Sequence, residues 1–416
     1  MAGADALRVA LLSYRSKPTC GGQGVYLRHL SRELVALGHR VEVFSGQPYP
    51  ELDEGVILTK IPSLDLYNDD HPFRTPPLRE FRDWIDALEV GTMWTAGFPE
   101  PLTFTLRAYR ELKKRVGDFD VVQDNQTLGY GLLGIQKLFP VVGTIHHPIS
   151  VDRRIELQAA KGMKKLSMRR WYGFVRMQSH VAPRLNPILT VSESSLADIH
   201  RDFSVPQANM RLIPLGVDTR YFHPRPHLPR RKGSIVAVAS ADSPMKGVAT
   251  LLRAVAKLAT ERDVNLTVVS KPTPGGPTEK LVAELSLHDR VRFVHGISDT
   301  ELGELIATSE ISVVPSLYEG FSLPAVEHMA CATPLVASRT GALPEVVGDA
   351  AVQVAPGDAE ELAAVLRRLH DSPREREEVG RRGYERVMER YTWNVVAKRT
   401  AETYREAIAA RTAGTR

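Results

Sequence analysis

Cysteine is nearly absent. The 416 residues hold two, Cys20 and Cys331, far apart and without the spacing of a metal-ligand set. That excludes a disulfide scaffold and leads us to expect a reducing compartment. No stretch is apolar for long enough to span a bilayer. The N-terminus lacks a basic segment followed by a cleavable apolar run, and "LRVALLSY" reads as a first strand, so a cytoplasmic protein is expected. His, Asp and Glu show no metal-ligand spacing, so neither metal nor organic cofactor is expected. The dinucleotide fingerprint is missing too: the glycines of "TCGGQGVYLRHL" do not follow G-x-G-x-x-G, and "VEVFSG" stops at Ser45 and Gly46 without an acidic residue. A nicotinamide oxidoreductase is therefore a distant reading. The positive excess is small, 54 Lys and Arg against 49 Asp and Glu. It favours anionic partners in general and is too dispersed to imply nucleic acid.

The composition itself is ordinary for a globular chain, 43% hydrophobic and 25% charged, and the length suits two or three domains. Short β-branched runs alternate with helical patterns. "LRVALLSY", "HRVEVF", "FDVVQDN", "PVVGTIHH" and "PILTVSE" supply strands in the first half, with helix candidates such as "GVYLRHLSRELVALG" between them. Residues 218–233, "DTRYFHPRPHLPRRKG", are proline-rich, charged and aperiodic, and read as a linker. Alternation then restarts with "SIVAVAS" and runs through "NLTVVS", "VRFVHG", "ISVVPS", "PLVAS" and "AVQVA". The expected fold is α/β, two doubly wound parallel sheets in series: residues 1–217, the linker, residues 234–392, and a C-terminal helix, 393–416, that packs back on the N-terminal domain. A cleft between two such domains is a default ligand site.

Two carboxylates mark the second half. In "PSLYEGFSLPAVEHMACATP" the strand "ISVVPS" ends in a glycine-containing turn that carries Glu319, and Glu327 follows about one turn into a helix. Pro324 sits where a first-turn proline is tolerated. N–H groups at a helix start suit an anion or sugar hydroxyls, and a carboxylate can take both hydroxyls of a diol. A capping role for Glu327 and a solvated turn position for Glu319 fit the spacing equally well.

"YEGFSLPAVEHMACATPLVAS", followed by "TGALPEVV", resembles the signature of family 4 glycosyltransferases, a glutamate, seven residues, a second glutamate, then a small-residue–proline strand entry. "GGQGVYLRHLSRELVALGH", "LIPLGVD" and "RVRFVHG" are similar to other segments of the family, so the resemblance covers nearly the whole chain. It implies the GT-B fold, two Rossmann-like domains facing an inter-domain cleft, and a retaining, metal-independent transfer of a hexosyl group from a UDP- or GDP-sugar. The acceptor would be a hydroxyl on a lipid, a glycan or a small molecule.

By the same resemblance, Glu319 would contact the transferred sugar. Gly320, Phe321, Ser322 and Leu323 would offer backbone N–H groups to sugar and phosphate, and Glu327 would hold the ribose hydroxyls. The role of Glu345, in "LPEVV", stays open. Lys246, in "ASADSPMKGVATLLRAV", lies between a strand end and a helix and suits the diphosphate. The family arginine five residues earlier is replaced by Ala241, and Lys271 is a further candidate for the phosphates. Ala332 stands where glycine is commoner in the family, with a packing consequence expected. The loop with Gly21, Gly22 and Gly24 would lie over the donor phosphates, Gly21 and Gly22 being the chosen contacts. His146 matches a family position that faces the transferred sugar, with His147 the adjacent alternative.

The basic run over residues 153–184 has two readings. It is a surface for anionic lipid, at the periphery of a membrane, or for a phosphorylated acceptor, or it is a solvated helical face. The absent arginine also leaves open a nucleotide-sugar-binding but inactive partner subunit. A sugar phosphorylase or epimerase on the same architecture is the other rival.

Overall fold

The computed structural model describes residues 6–17, 22–68 and 70–414. The chain divides into two compact units. The first comprises Met1–Val191, Ser195–Ile213 and Ala397–Arg416, and the second Ser192–Ser194 and Pro214–Val396.

The first unit contains β1 (Arg8–Ser13), β2 (Arg40–Ser45), β3 (Ile57–Lys60), β4 (Val121–Asn125), β5 (Val141–Ile145), β6 (Ile188–Thr190) and β7 (Met210–Leu212). They form one parallel sheet in the order β3-β2-β1-β4-β5-β6-β7. Strands β4 and β5 are buried along their whole length, as expected where helices cover both faces. Strand β3 escapes the sequence pattern because "ILTK", at the sheet edge, is short and mostly open to solvent.

The second unit holds β8 (Arg231–Val238), β9 (Asn265–Val269), β10 (Val291–Val294), β11 (Ser309–Val314), β12 (Leu335–Ser338) and β13 (Val352–Val354). Its parallel sheet runs β10-β9-β8-β11-β12-β13. The helix Val248–Ala259 covers it with a buried stripe of Val248, Leu251, Leu252, Val255 and Leu258, spaced for one helical face. The proposed linker overruns the start of this sheet: Arg231 already pairs with Ser309, so residues 231–233 belong to β8.

Each sheet reverses its winding once, between β1 and β4 and between β8 and β11. The loops leaving those neighbouring strands cross to opposite faces, which opens a crevice at their carboxyl ends. No helix among the described residues is long and apolar enough to cross a membrane.

The last helix, Trp393–Gly414, joins the first unit from Ala397 onward. Its fully buried Tyr404 donates to Oε1 of Gln123 on β4. The Gln123 amide in turn donates to Tyr26 Oη at 3.2 Å and Thr144 Oγ1 at 2.7 Å. Arg411 reaches the carbonyls of Gln136 and Lys137 at 2.6 and 2.7 Å. Tyr404→Phe strands the Gln123 acceptor in the core, and a loss of about 1–3 kcal/mol is expected in urea denaturation.

Candidate functional site

The winding reversal of the second sheet brings together the loops after β8 and β11. The first ends in a tight turn, Pro244–Lys246, closed by Gly247 at φ 66°. A Cβ on Gly247 would lie 1.9 Å from the Pro315 carbonyl oxygen, so only glycine allows this approach. The Leu317 N–H donates to the Met245 carbonyl at 2.7 Å and fastens one loop to the other. Lys246 Nζ consequently lies 2.9 Å from Glu319 Oε1, and Ser316 Oγ donates to the same oxygen at 2.7 Å. Glu319 is buried while the Lys246 side chain stays about a third exposed, so the lysine retains an open flank.

The "TGALPEVV" segment backs this turn. The Ala342 N–H donates to the Glu319 carbonyl at 2.9 Å, and a Cβ on Gly341 would stand 2.3 Å from that oxygen. Glu345 accepts from the N–H groups of Glu193 and Ser194 at 2.8 and 3.2 Å, which gives it a structural part.

Ser322 caps the helix Leu323–Ala330 at φ 85°. A non-glycine residue there carries strain of about 1–3 kcal/mol, the kind of cost that clusters at binding sites. Phe321 buries its ring edge-on against Tyr391, with centroids 5.9 Å apart, so its side chain is a packing element and only its backbone remains for a ligand.

Glu327 lies one turn into the same helix, partly buried. Burial, and secondarily the charge of Asp299, push its carboxyl up to about 7. Its side chain has no hydrogen-bond or ion-pair partner among the described residues. Both oxygens of this half-buried carboxylate, close to the winding reversal, are therefore able to accept hydrogen bonds.

Lys271 is exposed on the loop after β9. That loop is tied to the Lys246 loop by Asp242, which accepts from the N–H groups of Thr273 at 2.6 Å and Thr278 at 3.3 Å. Those bonds, Thr273 foremost, hold the Asp242 carboxyl at about 2. Ala241 is buried beside them, its N–H on Ser270 Oγ at 2.9 Å.

Ala332 corrects one expectation. Its φ is 53°, the left-handed region that favours glycine, so the consequence of alanine is conformational and goes beyond packing. Ala332→Gly is expected to stabilise the fold by about 1 kcal/mol, read from the thermal midpoint.

In the first unit, Gly21 lies outside the described residues, and Gly22 opens the helix Gly22–Ala36. A Cβ on Gly24 would meet the Lys17 carbonyl oxygen at 2.3 Å, so this glycine accommodates the chain's own backbone. His146 follows β5. Asn125 Nδ2 donates to the Gln23 carbonyl at 3.2 Å, which turns Oδ1 toward His146 Nε2 at 2.7 Å. The imidazole therefore carries its proton on Nε2, and Nδ1 presents a buried lone pair without a partner among the described residues. Burial pushes the ring down to about 4, so it is neutral at pH 7. The Tyr26 ring packs edge-on against it at 4.5 Å. The Gln126 side chain accepts from the His146 N–H at 2.8 Å and donates to the His147 carbonyl at the same distance. His147 itself turns to Asp152 at 3.3 Å.

Asn125, Gln126 and Ser316 were not singled out from sequence. The signal for the first two was the amide-rich end of "FDVVQDNQ", beside the winding reversal. Among the described residues no three His, Cys, Asp or Glu side chains gather as a metal site would require.

Comparison with known proteins gives this arrangement its context. Residues 20–221 match the profile described as "Glycosyltransferase Family 4", and residues 220–386 that of "Glycosyl transferases group 1". The chain is 58% identical over 408 residues to an MMP alpha-(1->4)-mannosyltransferase of Mycolicibacterium hassiacum, covering 97% of this chain and 99% of the relative. Among solved structures, sucrose-phosphate synthase of Thermosynechococcus elongatus superposes with a TM-score of 0.69 at 24% identity, over 97% of this chain and 100% of the other. HepE of Anabaena, solved in complex with UDP, gives 0.68 at 16% identity, over 96% of this chain and 100% of the other. The two parallel-sheet units, the glutamate-bearing turn and this end-to-end similarity agree: the chain belongs to family 4 of the glycosyltransferases, with the GT-B fold.

Proposed function

We propose that the chain transfers a mannosyl residue from a nucleoside diphosphate sugar to the 4-hydroxyl of a saccharide, with retention at the anomeric carbon. The 58% identity to the mannosyltransferase, over nearly the whole of both chains, carries this reading. The unpartnered Glu327 carboxylate supports the nucleotide part, since a ribose diol would fill both of its oxygens. Lys246 neutralises the diphosphate, and Glu319, held by Lys246 and Ser316, contacts the sugar. Backbone groups of Gly320, Ser322 and Leu323 serve sugar and phosphate. Lys271 and the Gly21–Gly22 loop add phosphate contacts. His146 offers its Nδ1 lone pair to a sugar hydroxyl; as a neutral ring it is a positioning group.

In the reaction the bond from the anomeric carbon to the phosphate oxygen breaks as the bond to the acceptor oxygen forms on the same face. The acceptor proton passes to the departing phosphate oxygen, so no protein carboxylate need form an ester with the sugar. Developing charge on the diphosphate is where a fixed cation is most effective.

The test is to incubate the purified protein with GDP-mannose, and in parallel with UDP- and GDP-glucose, and a methyl mannoside acceptor. Products are sized by mass spectrometry and their linkage read by NMR. An α-(1→4) disaccharide from one mannosyl donor is the expected result. Nucleotide binding without any product would favour an inactive partner subunit, and a β-linked product would reject retention.

A further inference from the structure

A second charged feature lies in the first unit. Helices spanning residues 149–203 enclose an open cavity of about 690 Å³. Arg153, Arg154, Lys165, Arg169, Arg176 and Arg201 line it, and Asp202 is the one carboxylate among its described lining residues.

That carboxylate is already committed. Asp202 accepts from Ser150 Oγ and Arg154 at 2.6 Å each and from Arg201 at 2.8 Å. Burial opposes its ionisation, yet the hydrogen bonds of Arg201 and Ser150 and the charge of Arg154 hold it below the usual carboxylate range. Arg153, Lys165, Arg169 and Arg176 have no acidic partner among the described residues. Four unneutralised cations around one concavity repel one another, and a bound anion relieves that repulsion. The cavity is also larger than one phosphate needs and falls within the range of small-molecule sites.

None of its lining residues is among those assigned to the transfer chemistry. The helix Glu193–Phe203 leaves β6 and returns toward the start of β7, so Arg201 and Asp202, in its last turn, lie toward the amino ends of these parallel strands. His146 follows the carboxyl end of β5, and the helix Ile149–Ala159 that comes next brings Ser150, Arg153 and Arg154 to the cavity.

We infer that this cavity is a binding site for a ligand carrying two or more phosphate groups, distinct from the nucleotide-sugar site. Guanidinium groups pair with phosphate oxygens in a two-pronged geometry that suits this chemistry. Such phosphates come from a soluble phosphorylated compound or from lipid headgroups, and one experiment separates the sources.

Sodium pyrophosphate is titrated calorimetrically at low salt into wild type, Arg169→Ser/Arg176→Ser and Lys246→Ala, all with thermal midpoints checked. Sedimentation with phosphatidylinositol 4-phosphate vesicles, against phosphatidylcholine alone, runs in parallel. Both replaced arginines are exposed, so the double variant is expected to fold. The expected result is pyrophosphate binding that weakens about tenfold or more in the double variant and persists in Lys246→Ala. Vesicle binding lost in the double variant, with no pyrophosphate binding, supports the site with a headgroup as the source. No binding of either probe by wild type, or binding untouched in the double variant, overturns the assignment.

Discussion

Lys246→Ala is expected to lower kcat by about 10²–10³-fold while the thermal midpoint moves little. The two effects separate because the lysine serves them unequally. Its bond to Glu319 joins a third-exposed ammonium to a buried carboxylate, and solvent screening of the lysine limits the net gain in stability to about 1 kcal/mol. In the proposed reaction the same charge meets a negative charge on the diphosphate that grows as the glycosidic bond breaks. With Ala241 in place of the family arginine, fewer other cations share that task. Single-turnover kinetics at saturating donor read the chemical step directly. A fall of less than about fivefold would remove Lys246 from the phosphate role. A fall matched by a collapse in melting temperature would show that the pair's contribution is structural.

Glu327→Gln is expected to weaken nucleotide binding about 100-fold or more, since two hydrogen bonds to a charged acceptor are reduced to one to a neutral amide. It is also expected to make the empty protein more stable. The wild-type carboxyl sits near 7 in the fold against an ordinary 4.5, so the folded state holds the proton more tightly than the unfolded chain. Stability is therefore lost as pH rises from about 4.5 to 7 and stays low above that. Glutamine avoids this loss, for a gain of about 1–3 kcal/mol at pH 8 that vanishes below pH 4.5. Wild-type nucleotide affinity should run the other way and fall as pH drops below 7, because the ribose needs the ionised form. Calorimetry and thermal melts across pH 4.5–8.5 check both. Equal melting temperatures at pH 8, with unchanged nucleotide affinity, would return Glu327 to an ordinary helix position.

The sheets were legible because parallel strands buried on both faces are rich in apolar, β-branched residues, as "VVGTI" is. The edge strand "ILTK" was hidden for the converse reason. The charged residues of the proposed donor site, Lys246, Glu319 and Glu327, stood out by their motif. Those that hold the machinery in place did not. Ser316 reads as any strand-end serine until its hydroxyl is seen on Glu319, and the Gln126 clamp on His146 links residues 20 apart by a side chain no local pattern requires. The part played by Glu327 is even between capping and binding by spacing alone; its unpartnered carboxylate supports the proposed ribose contact, which the glutamine variant tests. Ser322 and Ala332 conceal their positive φ because neither is glycine.

The return of the last helix to the first unit has a consequence for biosynthesis. Tyr404 and its acceptor Gln123 are 281 residues apart, with the whole second unit encoded between them. A ribosome releases the strands of the first unit early, yet the helix that closes them arrives last. The nascent first unit must wait with Gln123 uncapped while the second is synthesised and free to fold. Chains cut short before residue 397 should therefore be chaperone-bound through their amino-terminal half, with the nominally earlier unit the last to mature.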